Sequence, residues 1–429
     1  MRTLVIGDLH LYASAFRKPD HHAARKLSAA SRDLARLAAS YAARGPIEIV
    51  LSGDVYDLAA TGSSPVEQRL AKIAAHHEEL HEALRDVCRR GGRVVFIPGN
   101  HDYELLNEAA QRWVETHIPG ARVQPWFYRV RDVAHIEHGN QHDPDNAHPH
   151  PLLPDGDPLG ILLTRQLLHR LGDLRLLELN DRTPVPMLLH CFWNYGLRTP
   201  GMVLRYVLVG LAATRRARLP DAAQRAEASA RLDRFVKDAG LDRAAVQQLV
   251  DTSPRPTHTD GDVLFRRMYL DRTLLGAATL FATLAALLLG APRVALGIFG
   301  VAAAIGAIFG MYKNVYRGRV QDLLQAKAHS LAGEAAVRHV VFGHAHKEYD
   351  DGAYLNPGSF AFPPKKGLRT FVEIDGDDAR LMHMHAGEGV VDLAPRIVAF
   401  NNVAFNNVAF NSAPRAKSAD HDVDAKKVG

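Results

Sequence analysis

Side chains that commonly bind metal ions recur along this 429-residue chain in five short clusters, each placed after a run of apolar residues. The donors are aspartate, asparagine and histidine without cysteine, a set that suits manganese, iron or zinc better than calcium or copper(I). A glycine in each cluster lets the backbone turn tightly beside the donors. The clusters are Gly7-Asp8-Leu9-His10, Gly53-Asp54-Val55-Tyr56-Asp57, Gly99-Asn100-His101-Asp102, His138-Gly139-Asn140-Gln141-His142 and Gly343-His344-Ala345-His346.

The apolar runs before these clusters are short, partly β-branched and bounded by turn residues, which is typical of buried strands. Helix-like stretches at residues 22–43 and 64–89 separate the first three runs, and this order predicts an α/β sheet. Because ligands at the carboxyl ends of such strands share one edge of the sheet, we expect the five clusters to converge. The predicted strands are residues 3–6, 47–51, 94–97, 133–136 and 337–342.

The five clusters in this order resemble the motifs of the calcineurin-like metallophosphoesterase family, and all five are complete. The segment from Tyr354 to Ser359 also resembles the stretch that follows the last motif in that family. The resemblance covers residues 1–143 and about 337–385. It implies an α/β fold, a β-sandwich flanked by helices, with two divalent metal ions; manganese is favoured, and iron or zinc is an alternative.

The resemblance also implies a role for each matching residue. Asp54 would bridge the two metals, and His101 would face the substrate, oriented by Asp102. A hydroxide shared by two metal ions would attack phosphorus in line, and His101 would stabilise the transition state or protonate the leaving oxygen. The metal ligands would be Asp8, His10, Asp54 and His346 at one position, and Asp54, Asn100, His138 and His344 at the other.

Neighbouring polar residues have less specific interpretations. Asp57 and His142 are predicted to support the ligands from outside the metal sphere, or to hold a loop. His190 is an alternative to His138 as the fourth-cluster ligand. We favour His138 because a glycine follows it and because it lies about 40 residues after Asn100.

Two runs of 19 uncharged residues, 273–291 and 294–312, interrupt the chain between the fourth and fifth clusters. As helices each would span about 28 Å, close to the thickness of a bilayer's hydrocarbon core. We therefore predict a transmembrane hairpin, the alternative being a helical hairpin buried in a large soluble domain. Arginine and lysine flank both ends of the hairpin, whereas its tip carries only Arg293, which predicts a cytoplasmic catalytic domain.

These features divide the chain into four predicted parts. Residues 1–145 and 336–394 form one split catalytic domain, and residues 146–335 form a helical insertion with the hairpin at 273–312. Residues 395–429, which repeat the pattern V-A-F-N-N, are predicted to be a disordered, low-complexity tail. The two cysteines exclude a disulfide framework.

The predicted function is hydrolysis of a phosphate ester or pyrophosphate by a membrane-associated enzyme. The substrate would be a phosphorylated small molecule or a lipid, because the insertion enters beside the metal site and could face the bilayer. The start Asp8-Leu9-His10-Leu11 resembles that of relatives that cleave UDP-2,3-diacylglucosamine, although those often carry arginine where this chain has His101. The alternatives are a nuclease of the same family and a membrane scaffold with a vestigial site. A net charge of only +5 makes nucleic acid the less favoured partner.

Overall fold

Two β-sheets form the centre of this protein in the computed structural model, which describes residues 1–13, 21–154, 156–168, 184–312, 319–363, 367–385 and 394–395. The first sheet has seven strands in the order β12-β11-β10-β1-β2-β3-β4, and the second has five in the order β5-β6-β7-β9-β8. The predicted tail lies outside the described residues, except for Pro395 at its start. The strands are β1 (Arg2–Ile6), β2 (Ile47–Ser52), β3 (Arg93–Ile97), β4 (Ala121–Val123), β5 (Tyr128–Val130), β6 (Ala134–Glu137), β7 (His339–Phe342), β8 (Glu348–Asp350), β9 (Tyr354–Pro357), β10 (Leu368–Asp375), β11 (Asp378–His385) and β12 (Ala394–Pro395).

The five predicted strands all form, within two residues of the predicted bounds. Strands β1, β2 and β3 run parallel, with Val5 beside Val50 and Val50 beside Val95. Strands β6 and β7 are also parallel, in the second sheet. Such strands are apolar throughout because both faces of the sheet are covered.

The two sheets pack face to face through a core of small and β-branched side chains. Val50 and Val95 of the first sheet share this core with Ile136, Val341 and Leu355 of the second. Helices cover the outer face of each sheet. The mixed α/β fold with two sheets that was predicted is therefore confirmed.

Among the described residues before β6, the chain forms four α-helices. The predicted helix 64–89 is two helices, because the chain turns at His77, whose backbone is not helical (φ −120°, ψ 38°). The turn lets each helix bury its own apolar side chains, such as Leu70 and Leu84. The four are α1 (His21–Ala42), α2 (Val66–His76), α3 (Glu78–Arg89) and α4 (Glu108–His117).

In the part of the chain that the structure describes, nine further α-helices lie between β6 and β7. The stretch 202–241, whose sequence predicts helix, contains two of them, because Pro220 has no N–H and Asp221 begins a new helix in a capping box with Gln224. Residues 157–179, where the sequence predicts one or two amphipathic helices, lie partly outside the described residues. The helices are α5 (Leu159–Leu163), α6 (Pro184–Tyr195), α7 (Thr199–Arg216), α8 (Ala222–Ala239), α9 (Arg243–Asp251), α10 (Gly261–Arg267), α11 (Leu270–Leu288), α12 (Pro292–Tyr312) and α13 (Val320–Glu334).

The predicted insertion contributes to the sandwich itself. Phe235 of α8, Leu249 of α9 and Leu324 of α13 share one core with Val340 and Tyr354 of the second sheet. These helices therefore form the outer layer over that sheet. The division into four parts stays a prediction, and no break in packing marks residue 146.

Helices α11 and α12 lie against each other and form the predicted hairpin. Helix α11 begins at Leu270, three residues earlier than the uncharged run, because Asp271 suits the positive end of a helix dipole. Among the described residues, α11 alone is long and apolar enough to cross a membrane, and Pro292–Ile308 is apolar but shorter.

Candidate metal centre

The predicted metal ligands follow the carboxyl ends of five strands. Asp8 comes two residues after β1, Asp54 two after β2 and Asn100 three after β3. In the second sheet, His138 directly follows β6 and His344 comes two residues after β7. Because β1, β2 and β3 are parallel and β6 and β7 are parallel, these ends meet at a common edge.

The backbone turns sharply at this edge. Five of the seven predicted ligands have a left-handed backbone, which is uncommon for residues other than glycine. Such conformations cost about 1–3 kcal/mol each and gather at functional sites, where surrounding structure enforces them. The φ angles are 56° at Asp8, 48° at His10, 51° at Asp54, 63° at His344 and 54° at His346.

Glycine is required beside the ligands because neighbouring side chains lie very close to the glycine backbone. A Cβ on Gly53 would lie 2.4 Å from the ring of His138, and one on Gly99 would lie 2.3 Å from Asp54 Oδ1. A side chain at either position would displace a predicted ligand. The glycine in each cluster therefore serves the packing of the site as well as the turn.

One candidate metal position lies among Asp8, His10 and His346, whose ligand atoms are all within 4.8 Å of one another. His346 Nε2 lies 3.1 Å from Asp8 Oδ1 and 3.1 Å from His10 Nε2. The fourth predicted ligand, Asp54, lies slightly farther from this group, with its Oδ2 3.9 Å from His10 Nε2.

The second candidate position lies among Asp54, His138 and His344, again within 4.8 Å. His138 Nε2 is 3.2 Å from Asp54 Oδ2 and 3.2 Å from Asn100 Oδ1. The four predicted ligands of this position are thus together. Asp54 contacts both groups, as a bridging carboxylate must.

The donor set fits divalent cations. Asp8 Oδ1 is buried and faces His346 Nε2 at 3.1 Å without a hydrogen bond of regular geometry among the described residues, an arrangement that a cation bound there would stabilise. Burial would raise the pKa of Asp54, but the positive charges of His138 and His101 outweigh it and hold the pKa well below its usual value. Asp54 is therefore an anion, although it is buried.

His101 lies beside the first position, with its ring centroid 4.7 Å from that of His10. Its Nδ1 is 3.4 Å from Asp57 Oδ1, and its backbone N–H donates to Asp54 Oδ1 at 2.8 Å. Burial lowers the pKa of His101, but Asp54 and Asp57 together raise it to about 9. His101 is therefore placed and charged to donate a proton or stabilise negative charge.

The structure corrects the partner predicted for His101. Asp57, not Asp102, faces its ring. Both oxygens of Asp102 instead accept backbone N–H groups, from Gly99 at 2.6 Å and Val55 at 2.8 Å among others. Asp102 thus ties the loop after β2 to the loop after β3, which the sequence could not show because both carboxylates follow a motif glycine at similar spacing.

Two further predictions concern the fourth cluster. His142 is buried, and its Nε2 contacts Glu137, which also accepts a hydrogen bond from Trp126 Nε1 at 2.9 Å. His142 therefore contacts the residue before the predicted ligand His138, and not a predicted ligand itself. The side chain of His190 lies outside the described residues.

For Asp143 the sequence favours a supporting role beside the ligands or in the loop over direct contact with metal or substrate, and no motif includes Asn146. Asp143 Oδ2 is 3.0 Å from His344 Nε2, and Asn146 Oδ1 accepts a hydrogen bond from Asn100 Nδ2 at 3.3 Å. The signal in the sequence was the Asp-Pro-Asp-Asn turn directly after the fourth cluster. In the predicted segment 354–359, Asn356 bonds Gly343 O and Ser359 bonds Asp8 O, so this segment holds two motif loops in place.

Two candidate cation positions with Asp54 between them, at the ligand-bearing edge of a two-sheet α/β fold, are typical of metal-dependent phosphoesterases. Residues 1–204, slightly less than half of the chain, match the model of the calcineurin-like phosphoesterase family. The match confirms the resemblance predicted from the motifs. A comparison with curated proteins found no match to the chain.

Proposed function

We propose that this protein is a membrane-associated phosphoester hydrolase that uses two divalent metal ions, with manganese favoured. The observation that carries the proposal is the position of Asp54 between the two groups, with its Oδ2 3.2 Å from His138 Nε2 and 3.9 Å from His10 Nε2. Two bound cations would activate a water molecule as hydroxide and neutralise the phosphate oxygens. Within the family, this arrangement supports hydrolysis of a phosphate ester or pyrophosphate.

The residues of the chain position the reacting groups. Asp54 would be a ligand of both cations, and Asn100 would add a neutral oxygen donor that does not increase the negative charge. His101 is aimed at the substrate side and donates a proton to the leaving oxygen. Asp57 Oδ1 lies 3.4 Å from His101 Nδ1, so its negative charge favours the protonated ring, and Nε2 is proposed to face the substrate.

Membrane association is supported by exposed apolar side chains on the hairpin. Leu288 is 88% exposed and Phe281 72% exposed, whereas single-chain soluble proteins rarely expose such contiguous patches. Trp193 of α6, Leu204 of α7 and Leu197 in the turn between these helices are also exposed. Tryptophan and leucine with nearby arginines are typical of segments that lie in the bilayer interface.

The base of the hairpin carries Arg266, Arg267 and Arg272, and its tip carries Arg293. The larger number of cations at the base favours a cytoplasmic catalytic domain. Because the insertion also contacts the metal-centre loop, we propose a phosphorylated lipid or nucleotide-linked lipid as substrate. Its acyl chains would stay in the bilayer while its phosphate reaches the metals.

The test is metal analysis and a substrate panel on detergent-purified protein, with Asp54→Asn as control. The panel contains p-nitrophenyl phosphate, bis-p-nitrophenyl phosphate, a nucleotide pyrophosphate, DNA, and vesicles carrying phosphorylated lipids. We expect two bound metals per chain and fastest turnover of a lipid phosphate. Turnover of soluble esters alone would contradict the lipid substrate, turnover of DNA would favour a nuclease, and wild-type protein as inactive as Asp54→Asn would contradict catalysis.

A further inference from the structure

The segment Asp143-Pro144-Asp145-Asn146 lies between the metal centre and the helices that precede the hairpin. On its inner side, Asp143 accepts from His344 Nε2 at 3.0 Å, and Asn146 Nδ2 donates to Asp143 Oδ2 at 2.7 Å. Asn146 Oδ1 in turn accepts from Asn100 Nδ2 at 3.3 Å. One short segment therefore contacts two predicted ligands of the same metal position.

These contacts determine which ligand atoms remain for the metal. When Nε2–H of His344 donates to Asp143, the lone pair lies on Nδ1, and the carboxylate makes the imidazole more basic. When Asn100 donates its Nδ2 to Asn146, its Oδ1 is left facing His138 Nε2, at 3.2 Å. Asp143 and Asn146 are both about 95% buried, so water competes little with these bonds.

On its outer side, the same segment is held by the insertion. Asp145 accepts from Arg267 Nε at 2.7 Å and from Thr257 Oγ1 at 2.7 Å. The backbone N–H of Thr257 also donates to Pro144 O at 2.8 Å. Arg267 ends α10, and the hairpin helix α11 begins three residues later at Leu270.

We infer that Asp143 and Asn146 are positioning residues for the metal ligands His344 and Asn100, and that the Arg267–Asp145 ion pair holds their segment in place from the base of the hairpin. The insertion thereby controls the affinity of one of the two metal positions. This inference rests on the proposed metal centre, but it concerns metal binding and not turnover.

The chain supplies a matched control for the ion pair. The neighbouring Arg266 pairs with Asp262 within the same helix, and that pair is on the surface, with Asp262 74% exposed. Arg266→Met and Arg267→Met therefore remove the same charge from adjacent positions of one helix. Only the second change touches the segment that contacts the ligands.

The experiment titrates Mn²⁺ into metal-stripped full-length protein by isothermal titration calorimetry, with thermal unfolding as the check of folding. Asp143→Asn, which keeps the side-chain shape, should weaken one of the two sites about 10–100-fold and leave the other unchanged. Arg267→Met should weaken the same site about tenfold, at the lower end of that range, and Arg267→Lys should restore part of the loss. Arg266→Met should bind both ions like the wild type.

Wild-type affinity in folded Asp143→Asn protein, or equal effects of Arg266→Met and Arg267→Met, would overturn the inference. If Asp143→Asn does not fold, the Arg267 series decides, because Arg267 lies outside the two-sheet core. Failure of the proposed function looks different: the wild type would bind two ions, the variants would lose one, and no phosphoester would be hydrolysed.

Discussion

The metal centre and the hairpin both depart from the usual distribution of side chains, in which charged groups are exposed and large apolar groups are buried. At the metal centre, carboxylates are inside, and the exposed fraction is 0% for Asp8 and 1% for Asp54. On the hairpin, large apolar groups are outside, with Leu288 at 88% and Phe281 at 72%. Buried charges and exposed contiguous apolar surface are the two deviations from ordinary burial that carry information.

Each reversal is unfavourable in water without a partner. An unpaired buried charge loses hydration, and exposed apolar surface costs about 25 cal/mol per Å². We propose that the partner is a divalent cation in the first region and lipid in the second. In both regions a partner that is not protein would therefore offset the free-energy cost of the unusual burial or exposure.

The largest expected effect comes from a substitution in the metal centre. Asp54→Asn removes the shared negative charge and should reduce kcat/KM by at least about 10³-fold, with loss of bound metal, because the metals contribute several kcal/mol of transition-state stabilisation. Hydrolysis of p-nitrophenyl phosphate and metal content measure this. Asp378→Asn, an exposed carboxylate on β11, is the control, and a fully active Asp54→Asn enzyme would refute the role of the buried carboxylate.

The next effect separates the proton donor from the metals. His101→Asn should slow hydrolysis about 10²–10⁴-fold, the usual contribution of a general acid. Asp57→Asn should have a smaller effect, since it acts through the ring. The loss should be greater for alkyl than for p-nitrophenyl leaving groups, as measured by steady-state rates.

The surface pair His329–Asp351, at 2.9 Å, provides the control for that series. His329→Asn should leave both rates unchanged. A loss in His101→Asn that is the same for every leaving group would argue against proton donation.

A single charged substitution in the hairpin tests its proposed contact with lipid. Leu280 is 58% exposed near the middle of α11, and arginine in the centre of a membrane helix costs about 2.5–3.5 kcal/mol. Leu280→Arg should therefore shift the distribution between vesicles and water by about 10²-fold, measured by flotation, whereas Leu280→Ala should shift it little. If neither variant changes flotation, the exposed surface meets something other than lipid.

The smallest expected effect concerns a buried polar group that lies away from the metal centre and has no proposed partner outside the protein. His81 is fully buried, and burial lowers its pKa to about 3. Below the unfolded-state pKa of about 6.5, only the unfolded chain takes up a proton, so the free energy of unfolding falls by about 1.4 kcal/mol per pH unit as the pH decreases towards 3. Urea denaturation at pH 7 and 5.5 measures this slope.

His81→Phe should remove its share of that slope, because the ring contacts of His81 with Tyr56 and Trp113 suit an aromatic side chain. Leu84→Met is the control, because Leu84 is buried in the same helix and carries no titratable group, and it should leave the slope unchanged. A slope that persists in His81→Phe would place the acid sensitivity elsewhere.

Much of the fold was predictable because its strands are short apolar runs with clear bounds. The errors were breaks inside helices, at His77 and at Pro220-Asp221, where a local turn interrupts a continuous helical pattern. Short edge strands such as β5 and β8 carry too few residues for a period to show. The outer helix layer of α8, α9 and α13 could not be predicted, because an apolar helix face does not reveal which sheet it covers.

The sequence by itself determined the ligand types, their order and their place after buried strands, because metal chemistry restricts the donors and strand ends restrict the turns. Only the tertiary structure decided which side chains meet. It placed Asp57 rather than Asp102 against His101, and brought Asp143 onto His344, 201 positions away. Such contacts depend on which loops share an edge, and that is a property of the packed sheets and not of spacing along the chain.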